Sequence, residues 1–270
     1  MSGLSMRLSG LELLSCWEAL NLGAPPLLLG LFSPARTHRE HHQCCTEALR
    51  GLGARGLAEH GHPTPALAQA LRLLAHPDHL LDLRRGDGPQ QMLLGLGALA
   101  GADGLTVLGD GTPEGPFELT SMDAARVAGG LLGLCHPITP GLGRPVNIPA
   151  DLLDQAAARA HGDLWAMADH LQHAGISRLD AVSLARMLSG IRVGGQLGVS
   201  TAGHRGPWVV GFHATQAGWF LQLRRPNHAG PGETVSVGPT DTARLYRHWT
   251  ELIHHNRTRQ HHAAGHTGPR

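Results

Sequence analysis

Apolar positions recur at helical spacing near the start of the chain. Leu11, Leu14, Trp17 and Leu20 fall on one stripe, closed by Asn21-Leu22-Gly23 and two prolines. Leu27 to Phe32 is short, apolar and bounded by proline, a pattern that predicts a strand. The spacing predicts a helix over 37–52, capped near Thr37 and ended by Gly51 and Gly53. A further helix is predicted over 65–74, with Pro65 in its first turn and His76-Pro77 stopping it.

The pattern then changes period. Runs at 80–85, 91–99, 105–108 and 117–120 read as strands, separated by Asp87-Gly88, Asp103-Gly104 and Asp110-Gly111. A helix over 122–132 follows, with Ser121 as the expected cap and Asp123 in the first turn, where a carboxylate favours the helix dipole. Residues 135–147 are rich in Pro and Gly and read as a connection.

The second half repeats this order. Helices are predicted at 149–159, 162–174 and 178–189, strands at 191–200, 207–214, 219–225 and 233–237, and a last helix from a Thr240 cap to about His254. The two sheet-to-helix junctions match: Asp123-Ala-Ala-Arg126-Val127 corresponds to Asp241-Thr-Ala-Arg244-Leu245. An internal repeat follows, with pseudo-repeats at about 24–134 and 148–254. The expected fold class is α+β, with both strand groups in one central sheet; two independent tandem domains are the alternative. Residues 256–270 are Arg/His/Gly-rich without an apolar face and are expected to be a disordered tail.

Composition narrows the function classes. The chain has 270 residues, 41% of them hydrophobic, enough for a sizeable core. A net charge of +1 argues against nucleic-acid binding, which needs clustered cations. All 22 basic residues other than the 20 histidines are Arg, a bias expected of a GC-rich genome. The four cysteines, Cys16, Cys44, Cys45 and Cys135, show no disulfide spacing, so a reducing cytoplasm is expected. Glu12 and Trp17-Glu18 interrupt the N-terminal apolar run, no cleavage site follows, and no stretch approaches the ~20 apolar residues that span a bilayer. Neither export by a signal peptide nor a membrane anchor is expected.

Candidate chemistry is sparse. Gly51-Leu-Gly53-Ala-Arg-Gly56 matches G-x-G-x-x-G but follows a helix instead of a strand, so the glycines read as helix terminators. Gly95-Leu-Gly97 is weaker still. His38, His41, His42, Cys44 and Cys45 form the densest group of ligand types, and His38/His42 and His41/Cys45 lie one helical turn apart. Such a set could hold zinc, making a zinc-dependent enzyme or a metal-responsive sensor the alternative function. No H-E-x-x-H carboxylate and no second ligand pair accompany it, and a polar helix face with buried cysteines is the preferred explanation. No metal or cofactor is assigned. No G-x-S-x-G elbow or paired carboxylates appear, so the chain reads as a non-enzyme.

The most structured segment is Pro207-Trp-Val-Val-Gly-Phe-His-Ala-Thr215 and Gly218-Trp-Phe-Leu-Gln-Leu-Arg-Arg-Pro226, a predicted hairpin. Val210 and Phe212 alternate on one strand, as do Trp219, Leu221 and Leu223 on the next. They are sheet core or, if one face is only partly covered, a hydrophobic docking surface.

The chain resembles the EspG family, cytosolic chaperones of actinobacterial type VII (ESX) secretion. The resemblance rests on the Trp-containing first helix, Gly23-Ala-Pro-Pro-Leu27, Ser33-Pro-Ala-Arg-Thr-His-Arg-Glu40 and Leu73-Leu-Ala-His-Pro-Asp78. It extends through Gly194-Gly-Gln-Leu-Gly198, Val210-Gly-Phe212 and Gly218–Pro226, and covers about residues 5–254. It implies a quasi-twofold α+β fold, a single domain over 1–255 with a central antiparallel sheet flanked by helical bundles. It also implies that the chain binds a helical secretion substrate, such as a PPE-like or other ESX-associated protein, and keeps it soluble before export. No nucleic acid, membrane or cofactor is implied, and a homodimer stays open. The His/Cys-rich helix and the His-rich tail depart from the family pattern. The expected partner-binding residues are Gln196, Leu197, Val199, Trp208, Val210 and Phe212. Their outward face is not readable from sequence, since a one-residue slip inverts it.

Overall fold

A computed structural model describes residues 5–88, 91–227 and 230–264. The chain is α+β, and within each part of it the main strands pair antiparallel. It divides into two compact units. The first comprises residues 1–84, 91–134 and 200–204; the second comprises 85–90, 135–199 and 205–270.

The first unit opens with strand β1 (Ser5–Leu8) and helix α1 (Gly10–Ala19). Ser9 and Glu12 form a reciprocal capping box at the start of α1: each side chain accepts the other's backbone N–H, at 2.8 and 3.3 Å. Helix α2 (His38–Ala54) starts in the same way, with Thr37 as cap and Glu40 reaching back to it. A short ladder of β2 (Ala58–Glu59) and β3 (His62–Pro63) precedes α3 (Pro65–Ala75). A four-strand meander follows: β4 (His79–Gly86), β5 (Met92–Ala100), β6 (Asp103–Gly109) and β7 (Phe117–Asp123). Helix α4 (Ala124–Leu132) closes the unit, and the strand order is β1-β7-β6-β5-β4.

Glycine explains how closely α4 lies on this sheet. A Cβ at Gly97 would stand 2.4 Å from Val127 Cγ1, and one at Gly104 would stand 2.9 Å from the Ala124 Cα. Gly95 and Gly97 are therefore packing residues, not part of a cofactor loop.

The second unit repeats the order. Strand β8 (Val146–Pro149) precedes helices α5 (Ala150–Ala160), α6 (Leu164–His173) and α7 (Arg178–Leu188). Strands β9 (Val193–Thr201), β10 (His204–Arg205), β11 (Val210–Thr215), β12 (Gly218–Pro226) and β13 (Glu233–Pro239) come next, and helix α8 (Thr242–Ala264) ends the unit. The order β8-β13-β12-β11-β9 mirrors that of the first unit. In each unit a short opening strand pairs antiparallel with the last strand of the meander: Met6 faces Leu119, and Val146 faces Val237.

Several sequence expectations need correction. Leu27–Leu29 is a 3-10 turn, not a strand, because Gly30 at φ 59° breaks the extended run and leaves Leu27 exposed. Ser121 lies within β7, and Asp123 takes the cap position of α4. At the matching junction Asp241, not Thr240, caps α8, its carboxylate accepting the Arg244 N–H at 2.7 Å. Helix α2 continues through Gly51 and Gly53, and the left-handed residue just past its end is Gly56, at φ 70°. Strands β1 and β8 lie where no strand was predicted. Helix α8 runs ten residues beyond His254, to Ala264; residues 265–270 of the expected tail lie outside the described residues.

Candidate functional site

The hairpin of β11 and β12 forms as predicted, with Val210 opposite Leu223, Phe212 opposite Leu221 and Ala214 opposite Trp219. Strand β9 pairs on its other side, placing Leu197 opposite Val210. Side chains alternate across a strand, so Leu197, Val199, Val210, Phe212, Leu221 and Leu223 share one face. Gln196, His213, Gln222 and Phe220 share the other.

Helix α8 covers the first face. The Trp249 indole donates to the Gly198 carbonyl of β9 at 3.1 Å, and Leu245, Trp249 and Leu252 are fully buried. Helices α5 to α7 cover the second face, where Phe220, Val146, Ile148 and Val237 join Met167, Leu171, Leu184 and Met187 in one core. His213 belongs to this side. It bonds the Met187 carbonyl through Nε2 and the Gln222 amide through Nδ1, both at 2.8 Å. Burial pushes its pKa below 6.5, against the opposing pull of the Met187 bond.

Each predicted partner-binding residue can now be placed. Leu197, Val199, Val210 and Phe212 are buried beneath α8, whereas Gln196 and Trp208 are half-buried. The Trp208 ring lies 4.4 Å from the His255 ring and beneath the Arg225 guanidinium, at 5.5 Å. Arg225 is held in turn by Glu251 at 3.0 Å, which also bonds His248 at 2.9 Å. Burial opposes the charge of Glu251, but the His248 and Arg225 bonds together hold its pKa below the usual carboxylate value. The Trp208 Nε1–H is buried and has no hydrogen-bond partner among the described residues.

A cleft of ≈ 290 Å³ opens beside the hairpin turn, between α7 and the preceding connection. Phe220 and Met187 line it together with Leu142, which is 81% exposed. The connection is fixed by bonds from Trp219 N–H to the Thr139 carbonyl and from Gly141 N–H to the Trp219 carbonyl. Arg144 adds an ion pair to Asp180 of α7 at 2.6 Å. The sequence pattern did not single out this cleft, because its walls come from segments far apart in the chain.

The metal-type residues separate. His38 and His42 are exposed on α2, whereas His41 and Cys45 turn toward α1 and meet Glu18, which sequence reasoning missed. Cys44 and Cys45 are half-buried, not buried as expected. Burial raises the Cys45 pKa, a bond with Ser15 opposes this, and the Glu18 charge adds to the rise.

A model of the EspG family matches residues 9–250, nearly the whole chain. The chain belongs to the EspG family. Among solved structures it is similar to the type VII secretion system chaperone EspG5 of Mycobacterium tuberculosis, determined in complex with the PE25-PPE41 dimer. The similarity has a TM-score of 0.67 at 14% identity and covers 93% of this chain and 96% of that one. At this identity the likeness shows a shared EspG fold. A search of curated proteins finds no match. No helix among the described residues of this EspG-family chain is long and apolar enough to cross a membrane.

Proposed function

We propose that the chain is a cytoplasmic chaperone that holds a helical type VII secretion substrate of the PPE type soluble before export, acting by binding and not by catalysis. The observation that carries this reading is the family match over residues 9–250. The EspG5 relative, captured with a PE25-PPE41 dimer, supports a PE–PPE pair as the partner class. A paired-helix substrate with an apolar tip would suit a rigid sheet flanked by helices.

Of the residues first assigned, the partly exposed ones are Gln196, on the face that α5 to α7 cover, and Trp208, beside α8 on the other. Leu197, Val199, Val210 and Phe212 act as the platform that holds them and α8 in place. The cleft beneath Leu142, on the α5 to α7 side, is a separate contact region, because it combines an exposed apolar rim with an apolar floor.

Co-expression with PE–PPE pairs encoded near this gene, followed by size-exclusion chromatography, tests the reading. A co-eluting complex that keeps the PPE protein soluble is expected. If the PPE protein precipitates equally with and without this chain for every neighbouring pair, the chaperone function is wrong.

A further inference from the structure

We infer that Glu18, His41 and Cys45 form a zinc-binding site that ties α1 to α2. The three residues supply a carboxylate, an imidazole and a thiol, a donor set suited to a borderline-soft divalent cation. Their ligand atoms all lie within 4.8 Å of one another. Cys45 Sγ stands 3.6 Å from His41 Nε2 and 3.7 Å from Glu18 Oε2. A tetrahedral zinc with Zn–S of about 2.3 Å and Zn–N or Zn–O of about 2.0–2.1 Å sets both separations at roughly 3.5 Å. The third edge, His41 Nε2 to Glu18 Oε2, is a 2.8 Å hydrogen bond and opens by about 0.5 Å to admit the ion.

The surroundings orient these ligands. His41 Nδ1 bonds Ser33 Oγ at 2.7 Å, which leaves Nε2 to meet Glu18, while Cys45 Sγ lies beside the ring, 3.9 Å from Nδ1, and swings toward the ion on binding. A ligating histidine held at its second nitrogen is the usual outer arrangement of zinc sites. His41 and Cys45 lie one turn apart on α2, whose start is pinned by the Thr37–Glu40 capping box. Glu18 projects from the last turn of α1. His38, His42 and Cys44 lie outside the set, which separates this site from general histidine affinity.

Binding displaces the thiol proton of Cys45 to solvent, and water takes the fourth position of the tetrahedron. Bound zinc closes a crosslink between residues 18 and 41–45 in the first unit. It does not depend on the chaperone reading, because the test needs no partner protein.

The test is cobalt(II) titration of the tag-free full chain, followed by optical spectroscopy and zinc competition. The expected result is one equivalent of tetrahedral cobalt with a thiolate-to-cobalt band, displaced by zinc. The band should vanish in Cys45→Ser and persist in Cys44→Ser. Ser33→Ala, which leaves all three ligands in place, should weaken zinc binding about tenfold. Circular dichroism of each metal-free variant checks that the fold is kept. Octahedral cobalt without a thiolate band, as scattered histidines would give, overturns the proposal. So does a band that survives Cys45→Ser or disappears in Cys44→Ser.

Discussion

The indole N–H of Trp249 donates to the backbone carbonyl of Gly198 at 3.1 Å, with Trp249 fully buried. This bond joins α8 to β9, and α8 lies over the strand face that carries Leu197, Val199, Val210 and Phe212. Trp249→Phe keeps most of the apolar area but removes the donor. The expected cost is about 1–3 kcal/mol, the usual range for an unsatisfied buried polar group. Trp249→Ala also leaves a cavity and should cost about 3–5 kcal/mol. Urea denaturation of both variants measures the two, and unchanged stability in Trp249→Phe would mean that the hydrogen bond contributes nothing.

Stability should fall on mild acidification because of His213. Its folded pKa is lowered by burial, so below about 6.5 the unfolded chain binds more protons than the folded one. The contribution is complete above that value and is lost as pH falls toward the lowered folded value. His213→Gln, which retains a donor for the Met187 carbonyl, should show a smaller drop in melting temperature between about pH 7.5 and about pH 5.5. Identical drops in the two proteins would show that His213 does not titrate on unfolding.

Gly10 is a position where even a methyl group cannot fit. A Cβ there would lie 1.8 Å from the Pro113 carbonyl oxygen, and Gly10 N–H already bonds the Glu114 carbonyl at 2.7 Å. Backbone on both sides cannot yield as a side-chain tip could. Gly10→Ala should therefore cost at least about 1–3 kcal/mol. Gly129→Ala, with nothing within 4 Å of the added carbon, is the control expected to be neutral or slightly stabilising.

All four cysteines are free thiols, but they differ in access. Cys135 is buried, and burial, with Arg85 partly opposing it, pushes its thiol up to about 12. Cys16 is also fully buried. Native-state alkylation at about pH 8 should label Cys44 and Cys45 and leave Cys16 and Cys135 unlabelled until the chain is denatured. Mass spectrometry of the peptides reads this directly, and early labelling of Cys135 would contradict the packing around it.

Trp208 offers the sharpest test of the partner surface. It is half-buried, with its ring between the His255 ring and the Arg225 guanidinium. Trp208→Ala should weaken a PE–PPE complex by about 2 kcal/mol, as expected of an aromatic hot spot. The melting temperature of the free chain should shift little by comparison. Unchanged affinity by calorimetry would move the contact surface elsewhere, with the cleft beneath Leu142 the next region to test.

Much of this molecule is written in local sequence. The stripe Leu11, Leu14, Trp17 sets α1, and the Thr37–Glu40 spacing starts α2 at the predicted residue. The alternation of Val210 and Phe212 against Trp219, Leu221 and Leu223 sets the hairpin and its register. The matched Asp123 and Asp241 junctions revealed the internal repeat, because cap residues and apolar spacing act within one turn of chain. Tertiary structure decided the rest. Strands β1 and β8 are four residues each and exist only because β7 and β13, distant in sequence, supply their hydrogen bonds. Placing Val210 and Phe212 beneath α8 required knowing which face that helix covers. Glu18 joined His41 and Cys45 only when α1 packed on α2. In each case the deciding partner lies beyond the reach of local periodicity, so packing alone determines which groups meet.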